Sequence, residues 1–172
     1  IELVKSLKDK SYRQLGTSGS GNHFVSFNEI DVNENSKLGL APGKYIALLT
    51  HSGSRGLGAR IADHYTKVAM SKRKLDASVK NLAWLDLDED AGAEYWHAMN
   101  LCGDYAKACH DSIHHLISKY MSWKPVKLIE NNHNFAWKEI HNGEEVIVHR
   151  KGATPAGLGV WGIIPGSMAT PG

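Results

Sequence analysis

The sequence predicts an α+β fold in a single domain, and three observations carry that reading. Short apolar, strand-like runs stand toward both ends of the chain. Between them, from about residue 57 to 121, apolar residues recur at three- and four-residue steps. Clusters of Gly, Asn, Ser and Pro separate the runs. At 172 residues, 42% hydrophobic and 22% charged, the chain has enough mass and apolar content to bury a core without a disulfide or a structural metal.

Taken in order, Leu3, Leu7 and Leu15 flank a basic stretch with weak helical spacing. Gly16-Thr17-Ser18-Gly19-Ser20-Gly21 is the first loop, and Phe24, Val25, Phe27 and Ile30 predict a strand after it. A polar loop from Asp31 to Gly43 follows, with Asn33, Asn35 and Pro42 as turn residues. Tyr45 to Thr50 is a continuously apolar run, which reads as a buried strand ending at His51-Ser52-Gly53-Ser54-Arg55-Gly56. Ile61, Tyr65, Val68 and Ala69 give helical spacing from Gly58 to about Leu75, and a linker spans 78–86. Asp88-Glu89-Asp90 places acid at the start of a second helix, where the dipole favours it. That helix is expected to reach Met121, with a break near Gly103. Strands are expected at 126–129, 134–140, 144–148 and 160–164.

Asn142-Gly143 between two strand-like runs marks a hairpin. A two-residue loop pairs His141 with Glu144 and puts positions 133 and 149 on opposite faces. A three-residue loop with Gly143 as a bulge pairs Ile140 with Glu144 and sets His149 diagonal to His133 on one face. The bulged form is expected if both histidines serve one site.

Composition excludes several classes. Twenty Lys and Arg against 18 Asp and Glu give a formal charge of +2, short of the single-sign field of a nucleic-acid coat protein. Cys102 and Cys109 are too few for a disulfide framework and form no C-x-x-C, so a reducing, cytoplasmic setting is expected. No apolar run reaches membrane-span length, and Ile1 to Lys5 lack a signal-peptide core. The opening on Ile1 and the apolar close from Ile163 to Gly172 lead us to expect a segment of a longer protein.

Histidine stands out, with ten in the chain. His64, His97, His110, His114 and His115 fall on the helical stretches and read as packing or surface residues, and His141 belongs to a turn. His23, His51, His133 and His149 differ: each sits at a loop or strand end, three of them with polar neighbours. Imidazoles gathered from separate strand ends are how proteins build metal sites, with adjacent amides orienting the rings. A histidine followed by Arg150-Lys151 also fits a nucleophile beside an anion clamp. The glycine loop meets half a Walker pattern, but Asn22-His23 replace Lys-Ser/Thr, so a P-loop is rejected. No G-x-S-x-G elbow exists. Gly53-Ser54-Arg55-Gly56 before a helix brings hydroxyl, guanidinium and helix N-terminus together, as anion sites do, and Pro165-Gly166-Ser167 is a further anion loop.

Taken together, Gly16 to Phe24, His51 to Gly58, Asn132-His133-Asn134-Phe135-Ala136, His149 to Thr154 and Gly162 to Met168 resemble the RtcB family of RNA ligases, in the family's order and across nearly the whole chain. The resemblance implies mixed and antiparallel sheets in a sandwich-like core with the helical segment, about 57–121, inserted. It implies joining of RNA ends, a 2′,3′-cyclic phosphate or 3′-phosphate to a 5′-hydroxyl, using GTP and Mn²⁺. His23 would hold one manganese, His51 and His133 the other, and His149 would form the GMP adduct. Asn22, Arg55, Asn134, Arg150, Lys151 and Ser167 would form the nucleotide-binding set, with Asn22 and Arg55 on phosphates. RNA, such as broken or spliced tRNA, is the expected partner.

Departures from the family pattern accompany the match. The family's metal-bridging Cys and its neighbouring Asp belong to a motif upstream of the glycine loop, and its nucleotide-closing Lys to one beyond Gly172. Ser26 stands where many members have Glu, and Ala169 where they have Gly after Ser-Met. This segment alone is expected not to ligate. Two rival readings use the same residues: a metal-dependent phosphohydrolase or phosphodiesterase whose histidine-held metal activates water, and a non-catalytic RNA-binding relative.

Overall fold

The computed structural model describes residues 1–162. The basic opening stretch forms two short helices, α1 (Glu2–Ser6) and α2 (Lys8–Gln14), and Leu7 between them is buried. Its carbonyl accepts from both the Ser11 N–H and the Ser11 hydroxyl, at 2.9 Å each, which starts the second helix as the first ends. Strands β1 (Phe24–Val32) and β2 (Gly43–His51) pair antiparallel, from Phe24 against His51 to Val32 against Gly43. Helix α3 (Arg55–Lys72) follows, then a single 3₁₀ turn at Lys80–Leu82 and the 32-residue helix α4 (Asp90–Met121). Strands β3 (Asn134–His141) and β4 (Glu144–Lys151) form a second antiparallel pair.

The chain divides into two compact units, Ile1–Ser122 and Trp123–Gly172. The core of the first is helical. On α3 the buried positions are Leu57, Ile61, Tyr65 and Ala69, four apart. On α4 they are Gly92 in the first turn and then Ala98, Cys102, Ala106, Cys109 and Ile113, the last five at steps of four and three. These are the spacings that put side chains on one helix face. Leu7, Leu57, Ile61, Tyr65, Ala98 and Cys102 form one cluster, with Tyr95 and Tyr105 packed against it. Tyr65 donates to Glu94 at 3.1 Å and Tyr105 to the Ser11 carbonyl at 2.5 Å, so each ring buries its body and satisfies its hydroxyl. Both cysteines are buried and unpaired, and burial pushes the Cys102 thiol up to about 11, which suits packing rather than nucleophilic chemistry.

The ends of the two long helices are tied by charge. Arg73 contacts Asp86 and Glu89, Lys72 pairs with Glu89 at 2.6 Å, and the Trp84 ring lies 5.1 Å beneath the Arg73 guanidinium. Ser122 in the left-handed region stops α4, its N–H reaching the Lys119 and Ser118 carbonyls.

Several expectations need correction. Helix α4 is continuous through Gly103, because packing along its length outweighs the roughly 1 kcal/mol a mid-helix glycine costs. The apolar run 45–50 is a strand but not a fully buried one: Ile46 is 66% exposed. No strand forms at 126–129, where Val126 and Leu128 follow Pro125 and are exposed. Val160 to Gly162 are also outside any strand, while residues 163–164 and the anion loop at Ser167 lie outside the described residues.

The β3–β4 hairpin takes the two-residue turn rather than the bulged one, with His141 opposite Glu144. Asn142 and Gly143 have φ of 53° and 86°, the doubly left-handed geometry whose twist matches the flanking strands. His149 therefore pairs with Ala136, not Phe135, and strand alternation puts Phe135 on the face opposite to His149. Among the described residues the sheets are two-stranded each, antiparallel throughout, and belong to different units. Among the described residues no helix is long and apolar enough to cross a membrane.

Candidate functional site

The register of the first sheet builds the site. His23 immediately precedes β1, His51 closes β2, and Phe24 pairs with His51, so two histidines 28 positions apart in sequence become neighbours. Their ring centroids are 5.9 Å apart, and the Phe24 ring meets His51 edge-on at 5.6 Å. The glycine loop is fastened to the end of β2 by the Ser52 hydroxyl, which donates to the Ser18 carbonyl at 2.8 Å. Gln14 at the end of α2 accepts from the Gly56 N–H at 3.1 Å, in the first turn of α3.

Arg55 connects these parts. It opens α3 with φ of 53°, a left-handed conformation that a non-glycine residue holds only when its surroundings fix it. Its Nε lies 3.2 Å from Thr17 Oγ1 and its Nη1 3.1 Å from His23 Nδ1. The guanidinium sits directly against Gly19, whose φ of 113° is a conformation that favours glycine whatever lies beside it.

His23 is held below the ordinary histidine range, first by burial, then by the charge of Arg55 and by His110, with the Ser18 carbonyl acting in the opposite direction. A neutral ring is the form a metal ligand needs. The role of His110 here, and a 2.9 Å bond between His114 Nε2 and Thr50 Oγ1, bring α4 to the same place. Neither histidine nor Thr50 was expected at the site. The available signal was the i, i+4 spacing of His110 and His114, whose rings stack at 6.5 Å. Asn22 is exposed in the turn before β1.

The remaining candidates lie in the second unit. His133 sits in a bend before β3, and its carbonyl accepts from the Ala153 N–H at 3.1 Å. Asn134 Oδ1 accepts from the Gly152 N–H at 2.8 Å, fastening the start of β3 to the end of β4, where Lys151 is exposed. His149 is exposed on β4. Arg150, expected to face a nucleotide, instead grips Glu139 with both arms, at 2.5 and 3.0 Å, and lies 5.1 Å over the Trp137 ring. Ser167 lies outside the described residues. Among the described residues no three His, Cys, Asp or Glu side chains gather as a metal site. His23 and His51 are two neighbouring imidazoles, fewer than the three or four donors that hold a cation.

The Glu139 carboxylate is held down at about 2, chiefly by the Arg150 bonds and then by His141. An unfolded glutamate titrates near 4.5, so the pair's full contribution to hairpin stability is present above that value. It is lost as pH falls toward about 2. The Glu139→Gln variant is therefore expected to lose the part of the acid destabilisation that falls in this window. Unfolding curves of the two proteins between pH 5 and 2 that change in parallel would contradict the assignment.

The description "tRNA-splicing ligase RtcB" belongs to a family model that matches residues 2–172. RNA-splicing ligase RtcB homolog 1 of Entamoeba dispar is 31% identical over 171 residues, covering 90% of this chain and 32% of that protein. The tRNA-splicing ligase RtcB of Nanoarchaeum equitans is 32% identical over 198 residues, with 98% and 42% covered. The RNA-splicing ligase RtcB of Escherichia coli is 30% identical over 183 residues, with 94% and 40% covered. The chain thus spans roughly a third to two-fifths of the length of these relatives.

Proposed function

Because the chain belongs to the RtcB family of tRNA-splicing ligases, we propose that it forms part of an enzyme that joins RNA ends, linking a 2′,3′-cyclic phosphate or 3′-phosphate to a 5′-hydroxyl with GTP and Mn²⁺. One arrangement supports this reading above all: His23 and His51 side by side, with the Arg55 guanidinium on His23. Neutral imidazoles from two strand ends are donors for a first-row divalent cation, and His23 and His51 fit that demand. A cation held there supplies charge neutralisation at phosphoryl oxygens. Arg55 places a forked donor beside the same rings, suited to a phosphate, and Asn22 presents an exposed polar group in the same unit.

In the proposed sequence a histidine ring nitrogen attacks the α-phosphate of GTP, forming an N–P bond and releasing pyrophosphate. The GMP passes to the RNA 3′-phosphate, and the 5′-hydroxyl then displaces it. The resemblance names His149 as acceptor, and its exposure on β4 leaves the ring open to a nucleotide. Arg150, beside it, is bound to Glu139.

Incubating the complete protein with GTP labelled at the α-phosphate is expected to leave acid-labile, base-stable label on the polypeptide, absent from the His149→Ala variant. A complete protein that takes no label and joins no RNA overturns the ligase reading. Label mapping by mass spectrometry to another histidine would remove His149 from the role while leaving the reaction class intact.

A further inference from the structure

We infer that a cleft between the opening helices and α3 binds a nucleotide of the RNA strand, as a second contact with the substrate. The choice of RNA rests on the proposed joining reaction, whereas the nucleotide chemistry is read from the cleft itself. Its volume is about 330 Å³, the size class of small-ligand sites. Leu3 and Leu7 give it an apolar side, together with the Ser6 hydroxyl, and α3 supplies Arg60, Asp63, His64 and Lys67. Those four stand at i, i+3, i+4 and i+7, so they share one face of the helix.

Each part of a ribonucleotide has a counterpart in this cleft. Arg60 is exposed and, among the described residues, has no hydrogen-bond or ion-pair partner, so its forked guanidinium is open to the paired oxygens of a phosphate. Asp63 Oδ2 accepts from Lys67 at 2.8 Å, while Oδ1 has no partner among the described residues and is an acceptor for a ribose hydroxyl. The Asp63 carboxyl is held below the usual carboxylate range, first by the Lys67 bond, with burial opposing, then by the charges of Lys67, Arg60 and His64. Two fixed cations thus stand against one carboxylate, a balance that suits an anion. Leu3 and Leu7 offer an apolar wall to a base, and the His64 ring, which meets Tyr65 edge-on at 4.9 Å, offers a face for stacking. Ser6 Oγ spends its proton on the Leu3 carbonyl at 2.8 Å and keeps lone pairs for a base amino group. A 2′-hydroxyl read by Asp63 distinguishes RNA from DNA. At 1.5 Å per residue, Arg60 and Lys67 lie about 8 and 18 Å along α3 from Arg55, within the span of a few nucleotides of one strand.

The test uses the complete protein with a labelled oligoribonucleotide that has hydroxyls at both ends, beside the matching oligodeoxyribonucleotide. Fluorescence anisotropy is expected to show RNA affinity about fivefold lower in Arg60→Gln, with the slope of log affinity against log salt shallower by about 0.7, the value for one phosphate of a single strand. In Asp63→Ala the lost negative charge acts alike on both strands, so the ratio is the readout: the preference for RNA over DNA is expected to fall about fivefold. Hydrogen exchange of the unsubstituted protein is expected to slow over residues 2–7 and 60–67 when the oligoribonucleotide is added, which decides the matter even if a variant does not fold. Unchanged affinity and slope in Arg60→Gln, or no slowing over those residues, overturns the proposal. An unchanged ratio in Asp63→Ala overturns the ribose contact. Adenosine 5′-monophosphate binding that depends on Arg60, with no such dependence for the oligoribonucleotide, would give the cleft to a free nucleotide and overturn its assignment to the strand. All these readouts are of binding, so a protein that joins no RNA can still satisfy them and one that joins RNA can still fail them.

Discussion

Replacing His51 with alanine in the complete protein is expected to reduce RNA joining by at least about a hundredfold, since even the partners that merely orient a metal ligand are worth 10- to 100-fold. The effect is large because the position is built rather than adjustable. His51 is the last residue of β2, fixed by its pairing with Phe24, and its ring lies against both Phe24 and His23. No other residue on that strand end supplies an imidazole, as Thr50 and Ser52 flank it. His115→Ala, at an exposed position on α4, is the comparison and should leave joining within about twofold. A His51→Ala protein that folds normally and joins RNA at near the original rate, with Mn²⁺ stoichiometry unchanged, would remove this histidine from the site.

The second large effect concerns stability. Gly92 lies in the first turn of α4, buried, and a Cβ there would run into the backbone carbonyl of Asp86 and sit 3.2 Å from the Leu87 Cα. Backbone cannot rotate away as a side-chain tip can. Gly92→Ala must therefore push the start of α4 from the segment that Arg73 and Trp84 fasten to α3. Overpacking of this kind costs about 1–3 kcal/mol, against the roughly 1 kcal/mol that alanine gains as a helix former. The net expectation is a loss of up to about 2 kcal/mol, or a Tm lower by up to about 4–8 °C for a chain of this size. Thermal unfolding that shows the variant equal to or more stable than the parent would mean that the helix start accommodates the methyl group.

The sequence carried much of this protein by itself, wherever the signal is local. Four-residue spacing of Ile61, Tyr65 and Ala69 reports a helix face because neighbouring turns of one helix interact directly. Asn142-Gly143 reports a hairpin because the turn's dihedral angles are a property of those two residues. The motifs around His23, His51 and His133 identified the family for the same reason: each is a short run read without knowing its surroundings.

Only the tertiary structure decided what each run meets. It selected the two-residue turn, which moved His149 opposite Ala136, and it gave Arg150 to Glu139 rather than to an open anion site. It also set Arg55 on His23 and brought His114 to Thr50, contacts between residues 32 and 64 positions apart. Such pairings are fixed by strand register and by the packing of one helix on another, and their energies are shared among many weak contacts far apart along the chain. No short run of residues records them, which is why the histidines of α4 looked like ordinary packing until α4 lay beside the end of β2.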